Sequence, residues 1–259
     1  MDRIEQAATL FASGQRERAL ELVLEVLVDR NAIEEEARER LDLRNQSQYG
    51  EALSRISQAM EQAGGGELLG RLLHDRGTTL QGARRFEEAL AALRAAYLLR
   101  REVSDLIGAA YTAFQIPMCR RMAREDPSAL REEFQQSAEI LQLVLQERQS
   151  DIEVGDEGNL RHNLAFCLQF QEQYQEALKE YQRVLDLRAL ADDMRGEAMT
   201  QARIAECLLE LGDFEEAGQN AGEALAYFMQ IGDQNRIQQV QGTLEKISRG
   251  EQATHHNLP

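Results

Sequence analysis

The sequence predicts an all-α fold of stacked helical hairpins. A short pattern recurs along the chain: a bulky residue, an alanine three positions later, and then small or apolar residues at helical spacing. Its clearest copies are residues 86–96, 174–184 and 214–224. Strong helix-forming residues dominate, only 3 prolines interrupt them, and no stretch alternates as a strand would. Because repetition of this kind is typical of stacked hairpins, we expect a continuous array of helices.

Six hairpins are predicted, each made of a helix A, a tight turn and a helix B. The residue that opens helix B marks each hairpin, and these residues are Arg16, Tyr49, Phe86, Phe134, Tyr174 and Phe214. The last two steps are about 40 residues long. The alanines of the clearest copies are expected to be buried against the neighbouring helices: Ala89, Ala177 and Ala217. Small residues in helix A are expected to let helix B approach closely: Gly77, Ala165 and Ala205.

The fourth hairpin departs from this regularity. The chain continues from its helix A through Pro117 to Met122 before Asp126-Pro127-Ser128 begins another helix. Either helix A is lengthened and kinked at Pro117, or a loop is inserted there. After the sixth hairpin, residues 234–248 have the spacing of one more helix, which we expect to cover the end of the stack. The repeat domain is therefore expected to span residues 1–249, followed by a flexible tail at residues 250–259.

Glycine and aspartate mark the predicted turns. Gly212-Asp213 separates the helices of the last hairpin, because glycine suits the end of one helix and aspartate can cap the start of the next. The breaks between hairpins are predicted at Gly64-Gly65-Gly66, Gly155-Asp156, Asp192-Asp193 and Gly232-Asp233.

Composition argues against several classes of function. The chain has 29 basic and 45 acidic residues, whereas nucleic-acid and anionic-membrane surfaces need a basic face. No apolar stretch approaches the roughly 20 residues that cross a bilayer, and the first residues carry no secretory signal, so we expect a cytoplasmic protein. Of the 3 cysteines, Cys167 and Cys207 occupy equivalent positions one repeat apart and are predicted to be small core residues, not a disulfide.

The order of aromatic, alanine and apolar residues, with Gly77, Ala165 and Ala205 in the A helices, resembles the tetratricopeptide repeat family. The resemblance covers about residues 2–248. Steps of about 40 residues, with Gly-Asp in place of the usual proline, resemble its long-helix subclass, found in kinesin light chains, bacterial peptide-sensing regulators and proteins beside CHAT-type proteases. The resemblance implies a right-handed superhelical solenoid of about six hairpins plus a C-terminal capping helix, with a concave groove that binds a peptide or a partner protein.

The resemblance also implies which residues line this groove. On the A helices of the third to sixth hairpins they are Arg71, His74 and Thr78; Ile107, Tyr111 and Phe114; Asn159, His162, Phe166 and Gln169; and Met199, Ala202 and Glu206. Asn and His side chains can pair with a peptide backbone, and aromatic rings can cover its apolar side chains. Alternatively, these residues are merely solvated or are covered by the terminal helix. The paired Lys and Asn with which some family members grip a terminal carboxylate are missing from the matching positions.

No motif for catalysis or phosphate binding is found, so we expect neither an enzyme nor a bound cofactor or metal. We expect a non-enzymatic adaptor that holds a peptide or protein partner. The alternative is a ligand- or peptide-sensing regulator, including a regulator of an associated protease, whose superhelix changes on binding.

Two other surfaces are candidates for interaction. Leu98, Leu99 and Val103 could support self-association at a face exposed by the irregular fourth hairpin. The basic cluster Arg120, Arg121 and Arg124 is predicted to pair with neighbouring glutamates more often than to bind an anion.

Overall fold

The computed structural model describes residues 48–63, 66–147 and 152–256, which form ten helices and no strand. In chain order these helices are α1 (Tyr49–Gln62), α2 (Gly66–Gly82), α3 (Phe86–Glu102), α4 (Leu106–Met122), α5 (Pro127–Glu147), α6 (Val154–Phe170), α7 (Tyr174–Leu190), α8 (Met194–Leu211), α9 (Phe214–Ile231) and α10 (Gln234–His256). The predicted all-α fold of helical hairpins is confirmed. The predicted hairpin that opens at Arg16, and the glycines Gly64 and Gly65, lie outside the described residues.

The helices divide into two compact units, Met1–Glu133 (unit 1) and Phe134–Pro259 (unit 2). In the described part of unit 1, α1 packs on α2, α2 on α3 and α3 on α4. In unit 2, each helix from α6 to α10 packs on the next, and α8 also contacts α10. Helices α6, α8 and α10 begin at residues 154, 194 and 234, which confirms a repeat of about 40 residues. The right-handed twist and the total of six hairpins stay predictions.

The recurring small residues are buried where the helices of a hairpin meet. Ala89, Ala177 and Ala217 have no exposed surface, as predicted. Gly77 shows how close the helices come, because a Cβ added there would lie 2.6 Å from Cγ of Leu93 on the facing helix. Ala165 and Ala205 are also fully buried.

Each turn that is described in full contains a residue in the left-handed conformation. Gly212 and Gly232 have φ of 81° and 71°, as expected for glycines that end helices. Other turns use a non-glycine residue in this conformation: Arg84, Ser104, Arg124, Glu172 and Asp192. The predicted aspartate caps are present at Asp193 and Asp213, whose side chains accept the backbone N–H groups of Gly196 and Glu216.

One predicted break is displaced. We expected Gly155-Asp156 to separate two helices, but α6 already begins at Val154, after Glu153. Asp156 therefore lies in the first turn of the helix, where a carboxylate interacts favourably with the helix dipole.

The fourth hairpin is regular where irregularity was expected. Helix α4 continues through Pro117 and has 17 residues, as α2 and α6 do, so neither a lengthened helix nor an inserted loop is present there. Helix α5 begins at Pro127, after Asp126 accepts the backbone N–H of Ser128 at 2.9 Å. Phe134 was expected to be the first residue of helix B, but it lies about two turns inside that helix. The extra length is in α5, which has 21 residues.

The predicted terminal helix is present as α10. Val240 and Ile247 are buried on its inner side. The helix continues to His256 and so includes most of the segment 250–259 for which a flexible tail is predicted. Across the described ranges, no helix is both long enough and apolar enough to span a bilayer.

Candidate functional site

The predicted inner-face residues of unit 1 lie on α2 and α4. Arg71 is exposed, and His74 and Thr78 are half-buried. His74 Nδ1 is 3.1 Å from Thr112 Oγ1, so a side-chain hydrogen bond joins the two helices at this face. Thr78 donates its hydroxyl to the backbone carbonyl of Asp75 on its own helix. These contacts bring the α2 residues next to α4, which agrees with neighbouring A helices sharing a face.

The aromatic residues of unit 1 differ in exposure. Tyr111 is half-buried, whereas Phe114 is only 7% exposed and belongs to the core. Ile107, on the same helix, is half-buried. Of the two predicted aromatic contacts on α4, Tyr111 is therefore the more accessible to a ligand.

In unit 2, the predicted residues of α6 form two groups. Asn159 is exposed, and its Oδ1 accepts a hydrogen bond of 3.2 Å from Arg188 at the end of α7. His162 is half-buried and meets the ring of Tyr181 edge-on, with the centroids 5.4 Å apart. Phe166 and Gln169 lie one and two turns further along the helix.

Phe166 is packed in the core and is only 5% exposed. Its ring lies 5.8 Å from that of Phe134, which in turn lies 4.2 Å from the ring of Phe170. The guanidinium of Arg203, from α8, lies 4.9 Å from the centroid of the Phe166 ring, a distance suited to a cation–π contact. A ligand would therefore meet Arg203 in place of a bare aromatic ring.

A chain of hydrogen bonds joins three helices of unit 2. The hydroxyl of Tyr181, on α7, donates to Oε1 of Gln169 on α6 at 2.9 Å. The Gln169 amide donates to Oε2 of Glu206 on α8 at 3.0 Å, and Arg203 donates to the same oxygen at 2.8 Å. Tyr181 is fully buried, whereas Gln169, Arg203 and Glu206 are half-buried, so the chain runs from the core to the accessible face of α6 and α8.

His162 lies in a cationic environment. Burial, followed by the charges of Arg188, Arg203 and Arg236, lowers the pKa of His162 from 6.5 to about 3. Its Nδ1 is buried and has no hydrogen-bond partner among the described residues. The imidazole is therefore neutral at physiological pH, and the positive charge of this region belongs to the arginines.

The sequence of unit 2 agrees with this geometry. Residues 156–230, which extend from α6 to α9, match the sequence model of the tetratricopeptide repeat family. This segment therefore contains tetratricopeptide repeats. In such repeats, α6 and α8 are the A helices, and α7 and α9 are the B helices. No curated protein sequence matches the chain.

Two solved structures are similar to this chain in fold. One is a signal transduction ATPase with numerous domains from Pyrococcus horikoshii, which has a tetratricopeptide repeat sensor; the TM-score is 0.57 at 12% identity, over 81% of this chain and 31% of that one. The chain thus spans about a third of the length of that protein. The other is NprR in complex with its cognate peptide NprX, with a TM-score of 0.54 at 16% identity, over 95% of this chain and 73% of that one.

The repeats contain a buried arginine that sequence reasoning missed. Arg188, at the end of α7, is 9% exposed and pairs with Asp193, the residue that caps α8. Its guanidinium fills the space over Gly196, where any side chain would clash with it. Thr200, one turn later, donates its hydroxyl to the carbonyl of Gly196.

The same arrangement occurs in unit 1 with the same spacing. Arg100, 6% exposed, lies 3.5 Å from Asp105 and donates at 2.6 Å to the carbonyl of Gly108, while Thr112 donates to that same carbonyl. The signal Arg-x4-Asp-x2-Gly-x3-Thr is thus present in the sequence at residues 100–112 and 188–200. Each arginine connects the end of a B helix to the start of the next A helix.

Within the predicted basic cluster, Arg120 on α4 pairs with glutamates as expected. Arg120 forms ion pairs with Glu125, at 2.5 Å, and with Glu133. The face proposed for self-association is not exposed in the way that was expected. Of its three residues, Leu99 is fully buried in the core of unit 1 and only Val103 is exposed.

The cysteines are free and buried, in agreement with their predicted role in the core. Burial raises the pKa of Cys119 to about 11 and that of Cys207 to about 12, and it raises the pKa of Cys167 further. Within the described ranges, no three His, Cys, Asp or Glu side chains are grouped to hold a metal ion.

Proposed function

We propose that these repeats bind a segment of a partner protein along the A helices and catalyse no reaction of their own. The observation that carries the proposal is the row of hydrogen-bonding side chains on the adjacent helices α6 and α8. Gln169, Arg203 and Glu206 are linked across the two helices yet remain half-buried, so each keeps a face accessible. Amide, guanidinium and carboxylate groups in such a row can pair with the backbone and polar side chains of an extended peptide. NprR, which has a similar fold, binds its cognate peptide NprX.

Among the residues predicted by the family resemblance, we favour the accessible polar ones over the buried aromatic ones as contacts for a ligand. Asn159 and Gln169 are accessible polar groups, whereas Phe114 and Phe166 are nearly buried. Truncating Phe166 to alanine would create a cavity beside Phe134, so loss of binding in that variant would not distinguish a contact from a packing defect. Substitutions at Asn159 and Gln169 test the same face without creating such a cavity, and Tyr181→Phe measures separately what loss of the Tyr181–Gln169 hydrogen bond does.

Selection from a library of random peptides on the full chain would test the proposal. Peptides that bind the wild type should lose about tenfold or more in affinity on the double variant Asn159→Ala, Gln169→Ala, measured by calorimetry. Gln182→Ala is the matched control, because Gln182 is exposed on the B helix α7. Equal affinity for the double variant and the control would contradict the assignment to the A helices.

A second candidate is a regulator whose helices shift when the peptide binds. It is favoured by the hydrogen-bond chain from Tyr181 through Gln169 to Glu206, because a ligand that takes over a bond of Glu206 also changes the contact between α6 and α8. Small-angle scattering with and without a selected peptide would separate the two candidates. An unchanged radius of gyration in the saturated complex would favour the static adaptor.

A further inference from the structure

Arg236 has no counter-ion among the described residues, although the protein is strongly acidic. It lies in the first turn of α10 and is half-buried. Its guanidinium Nη1 donates a hydrogen bond of 3.0 Å to Oε1 of Gln239, a neutral partner, and its backbone N–H donates to Oδ1 of Asp233. Within the described residues its side chain makes no ion pair.

The remaining described arginines of unit 2 all pair with carboxylates. They are Arg161, Arg183, Arg188, Arg195, Arg203 and Arg249. The two carboxylates whose charges act on Arg236, those of Asp233 and Glu206, already have other partners. Asp233 Oδ2 is 3.1 Å from Arg195, and Glu206 accepts from Gln169 and Arg203. Among the described residues, one positive charge of this region is therefore left without a counter-ion.

The neighbours of Arg236 make this charge costly. Burial and the charge of Arg203 lower the pKa of Arg236, and Arg195 contributes in the same direction, whereas Asp233 and Glu206 offset only part of the effect. A half-buried cation without a counter-ion is unfavourable because it loses hydration without gaining an attractive partner. Such a charge destabilises the free protein and favours the arrival of an anion.

Comparison with the preceding repeat indicates that Arg236 does not have the role of Arg188, which connects the end of one helix to the start of the next. In the Arg-x4-Asp-x2-Gly-x3-Thr signal, the third copy reads Phe228, Asp233, Arg236 and Val240. Phe228, which is fully buried, stands at the position that corresponds to Arg188, and Arg236 stands at the position that corresponds to Gly196. Apolar packing at Phe228 therefore takes the place of the buried guanidinium. The arginine of this repeat lies instead on α10, which is in the position of an A helix.

We infer that Arg236, next to Arg203, binds a carboxylate of the partner segment, either of an Asp or Glu side chain or of a C-terminus. This inference rests on the proposed function. A carboxylate suits the site because one unpaired positive charge matches a single negative charge, and a planar guanidinium pairs well with a planar carboxylate. A doubly charged phosphate would leave excess negative charge next to Glu206 and Asp233.

The test uses peptides selected from a random library on the full wild-type chain and remade in three forms. One form keeps the selected sequence, one has its acidic residues changed to Gln or Asn, and one has an amidated C-terminus. Each form is titrated against the wild type, against Arg236→Gln and against Arg249→Gln. The last variant is the matched control, because it removes the same charge from the same helix at a side chain that is 78% exposed.

We expect one neutralised form to bind the wild type about tenfold or more weakly, as for loss of a charge-assisted hydrogen bond. Which form it is distinguishes a side-chain carboxylate from a terminal one. On Arg236→Gln the loss should disappear, whereas Arg249→Gln should behave as the wild type does. An equal loss on Arg236→Gln would overturn the inference and leave peptide binding intact. Failure to select any peptide for the wild type would overturn both proposals.

Thermal unfolding gives a readout that needs no ligand. Arg236→Gln should have a melting midpoint at or above that of Arg249→Gln, because it removes a half-buried charge that has no counter-ion. A clearly lower midpoint would show that Arg236 stabilises the fold through a partner and would overturn the inference.

Discussion

Two glycine-to-alanine substitutions should have opposite effects on stability. Gly77 lies in α2 where α3 comes closest. A Cβ there would lie 2.6 Å from Cγ and 2.7 Å from Cδ2 of Leu93, and 3.3 Å from the backbone oxygen of Ala89. Leu93 has no exposed surface, so its side chain cannot turn away into solvent. Gly222 lies inside α9, and a Cβ added to it would meet nothing within 4 Å.

The magnitudes follow from these contacts. Alanine is favoured over glycine inside a helix by about 1 kcal/mol, and this gain is common to both sites. Overpacking a core costs about 1–3 kcal/mol, and at Gly77 part of the clash is with backbone, which yields less than a side chain. Because Leu93 is fully buried and the backbone of Ala89 lies close, the overpacking cost at Gly77 should lie in the upper part of this range, about 2–3 kcal/mol. After the helix gain of about 1 kcal/mol is subtracted, Gly77→Ala should lose about 1–2 kcal/mol of unfolding free energy, whereas Gly222→Ala should gain up to about 1 kcal/mol.

Urea unfolding followed by circular dichroism would measure both changes as shifts of the midpoint. The midpoint should fall for Gly77→Ala and rise for Gly222→Ala. A Gly77→Ala variant as stable as the wild type, with Gly222→Ala stabilised as expected, would refute the close contact between α2 and α3.

Three further predictions concern unit 2 and the buried thiols. Because burial and nearby arginines lower the pKa of His162 to about 3, the unfolded chain takes up a proton below about pH 6.5 that the folded chain does not. The unfolding free energy of the wild type should therefore fall with decreasing pH by up to about 1.4 kcal/mol per pH unit more than that of His162→Gln. Urea unfolding of both proteins between pH 7 and pH 5 would measure this, and the same dependence on pH in both would contradict it. Cys119 and Cys207 should resist a thiol reagent at about pH 8 until urea unfolds the chain, because burial keeps their pKa at about 11 and about 12; rapid labelling of the native protein would count against it. Tyr181→Phe removes the donor to Gln169 and should cost about 1 kcal/mol, which an unshifted urea midpoint would exclude.

The architecture could be predicted from the sequence because its signals are local. A buried alanine at fixed spacing, such as Ala177 or Ala217, requires only that two helices of one hairpin meet. Likewise, an aspartate that caps a helix, such as Asp213, acts on backbone groups within a few residues of itself. These features need no knowledge of distant parts of the chain.

The prediction that Phe134 begins the second helix of the fourth hairpin is wrong, because the repeat pattern takes a bulky side chain as the start of each helix B. Phe134 matches the pattern in size, but helix α5 begins at Pro127, where a proline suits the first turn. The prediction that Asp126-Pro127-Ser128 begins a helix is confirmed. Capping residues therefore locate the ends of these helices better than bulky residues do.

The candidate site was harder to predict because exposure depends on the neighbouring helix. The family positions place Phe166 on the inner face, yet Arg203 from the next A helix covers its ring. Buried arginines such as Arg100 and Arg188 escape sequence reasoning because charged residues are usually assigned to the surface. Their repeated spacing to an aspartate and a glycine is the signal that could have revealed them.

The buried arginine at the end of a B helix has a consequence for where this protein can be divided. Arg188 belongs to α7, but its partners are Asn159 on α6 and Asp193 at the start of α8. A fragment that stops after α7 would retain the guanidinium and lose Asp193, the ion-pair partner that Arg188 has among the described residues. The smallest segment in which every such charge is satisfied therefore has three helices, so cooperative folding and any dissection of the chain should follow boundaries placed after an A helix.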